Sequence, residues 1–290
     1  MKTFFFLCLF ASNSFALGEC SLDLNKDRKA SDYNYFLVSG ILNEFLPFYM
    51  NDFEDYLVSL KVPKNQIKRI DASSLLDPMK ASKVIADNIN KISNGKKVVF
   101  ISHSKGALET LYYLHNEEDG HASKVERAFL IQGALDGSSL YRTFYDDKKI
   151  GFIRRAIRWM VSDTFSRPFS YKGVRRNLAG LKNKKTLLNK ITFITSEVTY
   201  ENLPFKYKMV GGLYQSSFKK SGDGVLMRSD HIPFELADVH SSLCIQNYDV
   251  HHAYLVTSVP WNSEHRQDIR DFLKSLLFKS QNYLPKYLKI

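Results

Sequence analysis

Only three of the 290 residues are cysteine, too few for a disulfide framework to stand in for a hydrophobic core. No run of 18 apolar residues occurs, which excludes a helix crossing a bilayer. The chain has no internal repeat and no low-complexity tract. With 44% hydrophobic and 24% charged residues it is not a disordered, collagen-like or coiled-coil protein either. The length suits one large domain or two small ones around a sizeable core. Acid is scarce in one place. Between Tyr141 and Lys190 there are 14 Lys or Arg against 3 Asp or Glu, while the other 240 residues hold 27 of each. The whole net charge of +11 therefore sits in one stretch of an otherwise balanced globular chain.

The chain opens on Met1, Lys2 and Thr3, followed by an apolar run, Phe4 to Ala11, too short to cross a membrane. Ser14 and Ala16 then place small side chains where a signal peptidase cuts. This three-part pattern predicts a signal peptide over residues 1–16 and export of residues 17–290 to a periplasmic, cell-envelope or secreted location. Glu19 before Cys20 argues against a lipid-modified cysteine. Removal of 1–16 takes Cys8 away and leaves Cys20 and Cys244, whose pairing the sequence leaves open. Export also takes nucleic acid off the list of partners.

Short apolar, β-favouring runs recur along the chain. They are Tyr35 to Ser39, Ile67 to Ile70, Lys97 to Ser102, Val125 to Gln132 and Lys190 to Ser196. Helical signals lie between them. Asp77-Pro78 offers a cap with proline at the first helical position, Ala81, Ile85, Ile89 and Ile92 keep the period, and Asn94-Gly95 offers a stop. Leu108, Leu111, Tyr112 and His115 carry a second helix, and Asp268 to Leu277 a terminal one. Strands separated by helices of this length pair in parallel, because a crossover needs the residues. The expected class is α/β, with helices on both faces of a mostly parallel sheet.

Ser102-His103-Ser104-Lys105-Gly106 falls where a strand ends and a helix begins. A sharp turn there lifts the central serine out of the backbone, and small residues two before and two after let the chain fold back on itself. Ser102 stands where glycine is commoner. A serine hydroxyl is a weak nucleophile by itself, so a base and an orienting acid are needed. Asp223, between Gly222 and Gly224 and after a strand and a loop, is the candidate acid. The candidate base is His252, backed by Ala253, Leu255 and Val256, with its neighbour His251 as the alternative. His231, His240, His251, His252 and Asp249 could be imagined as a zinc site. None has the i, i+4 spacing with an intervening Glu, and no cysteine pair assists, so no metal is expected.

These features resemble the α/β-hydrolase superfamily, and within it the lipases and esterases. Leu37-Val38-Ser39-Gly40-Ile41 is similar to the oxyanion-hole loop after an early strand, Ser102 to Gly106 to the nucleophile turn, Asp223-Gly224-Val225 to the acid loop and His252 to Val256 to the histidine loop. Gly133 to Ser139 is similar to a Gly-Ser segment that many lipases carry after the next strand. The likeness runs from about Tyr35 to the terminal helix. It implies an α/β-hydrolase fold, no cofactor, Ser104 as nucleophile, His252 as base and acid, and Asp223 as its orienting group. It also implies an oxyanion hole made by the backbone N–H groups of Ile41 and Lys105. Ser39, where a histidine often precedes the glycine, is a departure from the pattern.

In such a fold the basic stretch 141–190 would form a cap or lid. On a helical wheel over Lys148 to Phe165, Arg154, Arg155 and Arg158 share one arc. Ile150, Phe152, Ile153, Ile157, Trp159 and Met160 fill the other side. Such a helix either covers a greasy substrate site, with Phe152 and Trp159 lining it, or lies on an anionic membrane, or packs its apolar side on the core. The expected activity is hydrolysis of a small-molecule or lipid ester through an acyl-enzyme. The alternatives are amide or thioester hydrolysis, or a catalytically silent hydrolase fold that binds the cell envelope through its charge.

Overall fold

The computed structural model describes residues 20–25, 27–41, 48–70, 72–73, 76–92, 94–116, 121–139, 169–203, 222–223, 225–252, 254–256, 262–278 and 288–289. The expected signal segment, Phe152, Trp159 and most of the cap therefore lie outside the described residues.

Seven strands form one sheet in the order β2-β1-β3-β4-β5-β6-β7. They are β1 (Tyr33–Val38), β2 (Ile67–Ile70), β3 (Lys97–His103), β4 (Val125–Ile131), β5 (Ile191–Ser196), β6 (Cys244–Tyr248) and β7 (Leu288–Lys289). The first six are parallel, and the two-residue β7 pairs antiparallel with β6. The helices are α1 (Asn51–Ser59), α2 (Pro78–Asn90), α3 (Lys105–His115), α4 (Tyr171–Asn177), α5 (Lys185–Leu188) and α6 (Ser263–Leu277).

The near-continuous apolar strands are explained by two cores. Side chains alternate across a strand, so Tyr35 and Leu37 of β1 pack with Phe53 of α1 and Phe272 of α6. Phe36 and Val38 pack with Ile85 of α2 and Leu108 of α3 on the other face. Every residue of β1 and of β5 is buried. Such burial on both faces selects a mostly apolar run over strict alternation.

Helix α2 begins as its sequence predicts. The Asp77 side chain accepts hydrogen bonds from the N–H groups of Met79 and Lys80, with Pro78 in the first turn. It ends at Asn90, short of Asn94-Gly95, and Gly95 instead serves a turn before β3 at φ +70°. Strand β6 carries no continuous apolar run. Its Asn247 is half-buried next to the two-residue edge strand, while Gln246 is buried and its Oε1 accepts from Tyr248 Oη at 3.1 Å.

Cys20 and Cys244 form a disulfide with their Cα atoms 5.4 Å apart. It fastens the segment before β1 to the first residue of β6. The same segment hydrogen-bonds along the end of α6, from Leu22 N to Leu276 O at 2.7 Å and from Leu24 N to Leu277 O at 2.8 Å.

Candidate active site

The carboxyl ends of β1, β3, β4, β5 and β6 meet at one rim of the sheet, and the chemistry-bearing residues lie just beyond it. Ser104 sits between β3 and α3 at φ +55° and ψ −121°. A non-glycine residue rarely adopts this region, and it persists only where surrounding packing holds it. Gly106 provides much of that hold. A Cβ there would lie 2.5 Å from the carbonyl oxygens of Val38 and Ser39, so only glycine lets α3 start this close to β1. Gly40 does the same from the other side, because a Cβ on it would come within 2.8 Å of Ser104 Cβ. The loop after β1 is thus pressed against the serine.

Ser102, standing where glycine is commoner, is buried, and its hydroxyl shares a 2.8 Å hydrogen bond with Thr110 of α3. The extra hydroxyl is accommodated by a partner at the sixth residue of the helix. Thr110→Val keeps the shape but strands that hydroxyl, so it should cost about 1–3 kcal/mol of stability. The double change with Ser102→Ala should recover most of the loss. Denaturant unfolding of the single and double variants checks this, and equal losses in both would contradict it.

The structure brings Ser104, His252 and Asp223 together. Ser104 Oγ lies 3.1 Å from His252 Nε2, and His252 Nδ1 lies 2.7 Å from Asp223 Oδ2. The Ser104 hydroxyl does not cap its own helix. The backbone also joins the two loops, since His252 N donates to Asp223 O at 2.7 Å. Asp223 is fully buried, and its Oδ1 accepts from the N–H groups of Val225 and Leu226 at 2.9 and 2.8 Å. Burial alone would push its carboxyl up. The adjoining His252, which also hydrogen-bonds to it, and the neighbouring His231 outweigh burial and hold it far below the usual carboxylate range. Asp223 is thus an anion at any working pH. Its proton-bearing partner on His252 is Nδ1, which leaves Nε2 as the acceptor facing the serine.

The other candidates fall as follows. His251 turns away, with its Nδ1 2.7 Å from the carbonyl oxygen of His252 and its ring against Tyr254. Asp249 is exposed at the end of β6. Ile41 is 37% exposed in the loop beside Ser104, and Lys105 opens α3, where a first-turn N–H has no partner within the helix. The Lys105 side chain leaves the site. It is buried, pairs with Glu109 and donates to Ser73 O at 3.3 Å. Burial pushes the Glu109 carboxyl up to about 7, with Lys105 opposing.

Several residues around these groups carry no motif. His231 was legible only as an imagined metal ligand. It is buried beside the acid, with Nδ1 accepting from Ser196 N at 3.2 Å, so its proton is on Nε2, 3.2 Å from Asp223 Oδ2 but off a good hydrogen-bond angle. Asp230 is buried too, accepting from Ser139 N and Tyr171 Oη, both at 2.8 Å, and from Met227 N at 3.1 Å. It thereby ties the Gly-Ser segment after β4, the acid loop and α4 to one carboxylate. Burial pushes that carboxyl up against the pull of these donors.

The parallel sheet, the strained serine turn and the placing of acid and histidine after later strands define an α/β-hydrolase fold. Solved structures with this architecture include the metagenomic carboxyl esterase MGS0156, at TM-score 0.60 and 16% identity over 89% of this chain and 73% of that one. The mature lipase BlEst2 of Bacillus licheniformis is similar at TM-score 0.55 and 16% identity, over 84% of this chain and 89% of its own. By sequence, the chain matches no protein-family model and no curated protein.

Proposed function

We propose that this protein is an exported serine hydrolase that cleaves carboxylic esters through an acyl-enzyme. The observation that carries the reading is the hydrogen-bonded line from Ser104 through His252 to a buried, anionic Asp223 at the carboxyl rim of the sheet. His252 Nε2 takes the hydroxyl proton as Ser104 Oγ attacks the ester carbonyl. The negative oxygen that results is held by the N–H groups of Ile41 and Lys105. Collapse of the tetrahedral species breaks the bond to the alcohol, which leaves with the proton from His252. Water, deprotonated by the same imidazole, then releases the acid and restores Ser104. Asp223 fixes the ring and stabilises its positive charge without taking the proton. The names carried by the two similar structures, an esterase and a lipase, support an ester as the bond.

Export rests on the charge-apolar-small order of residues 1–16 and agrees with a disulfide between the two cysteines left after their removal. The basic stretch 141–190 acts as a cap that brings the enzyme to an anionic lipid surface or polymer, through the charge excess confined to it.

A fluorophosphonate probe tests the chemistry, since it modifies only an activated serine. The mature protein should be labelled stoichiometrically, with the adduct on the peptide containing Ser104. It should turn over nitrophenyl esters, and hydrolyse esters faster in anionic than in neutral vesicles at low salt. Folded protein without an adduct would leave a silent hydrolase fold. Equal rates in both vesicles would remove the surface role alone.

A further inference from the structure

Behind Ser104 runs a buried chain of side chains whose protons can be placed one by one. Gly40 N–H can only donate, and it reaches Tyr49 Oη at 3.0 Å. Tyr49 Oη in turn meets His103 Nδ1, and His103 Nε2 lies 3.1 Å from Gln132 Oε1. The Gln132 amide is oriented by the carbonyl oxygen of His251, which accepts from its Nε2 at 3.2 Å. The same Nε2 donates to Ser196 Oγ at 2.5 Å. Gln132 Oε1 is therefore an acceptor, His103 Nε2 carries the proton, and Nδ1 takes one from Tyr49. Ser196 Oγ, already receiving from Gln132, points its own hydrogen at Asp223 Oδ2, 3.4 Å away.

The line begins at the loop carrying Ile41 and ends at the carboxylate that holds His252. Tyr49, His103, Gln132 and Ser196 are all buried, so water does not substitute for a lost link. Burial, then the neighbouring His252, keep His103 neutral by lowering its affinity for a proton. Gln132 holds a left-handed backbone at φ +48°, which places its amide between His103 and Ser196. Tyr49 is anchored from outside the line. Arg69 of β2 donates to its carbonyl oxygen at 2.6 Å, and Met50 N donates to Val256 O at 2.8 Å.

We infer that Tyr49, His103 and Gln132 are positioning residues that set the direction of the Ile41 N–H by pinning the Ser39–Gly40 peptide, and couple it to Asp223. The inference rests on the esterase reading above. Tyr49 Oη fixes one peptide plane, and the next N–H along the chain is the one assigned to the oxyanion. A donor misaligned by loss of this pin would weaken transition-state binding more than substrate binding.

The test is Tyr49→Phe in the mature, disulfide-bonded protein. Its kcat on a short-chain nitrophenyl ester should fall ~10- to 100-fold with KM within about threefold, a smaller loss than deleting an oxyanion donor. Inhibition by a phenylboronic acid, which forms a tetrahedral anion on the serine, should weaken in parallel with kcat. A residue that merely filled the core would not produce that parallel. His103→Asn, which retains an acceptor near the Nδ1 position, should keep more kcat than His103→Leu, and this pair carries the test if Tyr49→Phe does not fold. Active wild type with unchanged kcat in folded Tyr49→Phe, or boronate affinity that does not follow kcat, overturns this inference alone. Wild type that neither hydrolyses ester nor reacts with fluorophosphonate overturns the esterase reading and this inference with it.

Discussion

If the proposed mechanism holds, alanine at position 252 should lower kcat for ester hydrolysis on the order of 10⁵-fold, as should alanine at position 104, whereas alanine at position 251 should leave it within about tenfold. The contrast follows from where the two neighbouring rings point. His252 Nε2 is 3.1 Å from Ser104 Oγ, and its other nitrogen is held by Asp223. His251 spends Nδ1 on the carbonyl oxygen of His252 and rests its ring on Tyr254. In the proposed mechanism, removing His252 leaves the serine without a base and the leaving alcohol without a proton donor. The double change Ser104→Ala with His252→Ala should lose little more than either single change, because the two groups act in one step. Steady-state kinetics on variants shown to be folded by circular dichroism check this. A loss at 251 matching that at 252 would mean the base has been assigned to the wrong ring.

The same pair shows how far the sequence could be read. Both histidines lie in one loop, and the apolar residues following His252 favoured it without deciding the matter. Orientation depends on Asp223, which arrives from after another strand, and on a backbone hydrogen bond between the two loops. Ser104 was legible because its turn needs small neighbours at fixed offsets, a local demand visible in five residues. The Ser102 exception made sense only once Thr110 came into contact with it. The sheet was legible for a related reason. Strands buried on both faces carry apolar runs rather than a strict alternation, so β1, β3, β4 and β5 declare themselves, while β6 beside the edge does not.

The residues that support the site stayed hidden for a physical reason. Tyr49, Gln132, Ser196, Asp230 and His231 matter through partners far away in sequence, and a single tyrosine or glutamine carries no period or spacing. Their use becomes visible only when each donor and acceptor is accounted for. His103 is the intermediate case. It sits inside the serine motif, yet its role lies on the side away from the substrate, in the line from Gly40 to Asp223.

Removing the disulfide by Cys20→Ser with Cys244→Ser should lower stability by about 3–5 kcal/mol, or roughly 10 °C in Tm for a domain of this size. The magnitude follows from the loop being closed. The cysteines are 224 residues apart, so the bridge restricts almost the whole unfolded chain, and loop entropy alone sets an upper value of about 5 kcal/mol. The native contacts at that end survive the substitution, because Leu22 and Leu24 still hydrogen-bond to the end of α6. Activity at 25 °C should therefore stay within about twofold while Tm falls. Cys244 begins β6 at the amino edge of the sheet, and the serine, acid and histidine all lie beyond the carboxyl edge. Treating the wild type with a reductant should reproduce the shift, and the double variant should not respond to it. If reduction and substitution both leave Tm unchanged, the bridge is not formed in the folded protein. The structural argument for passage through an oxidising compartment would then fall as well.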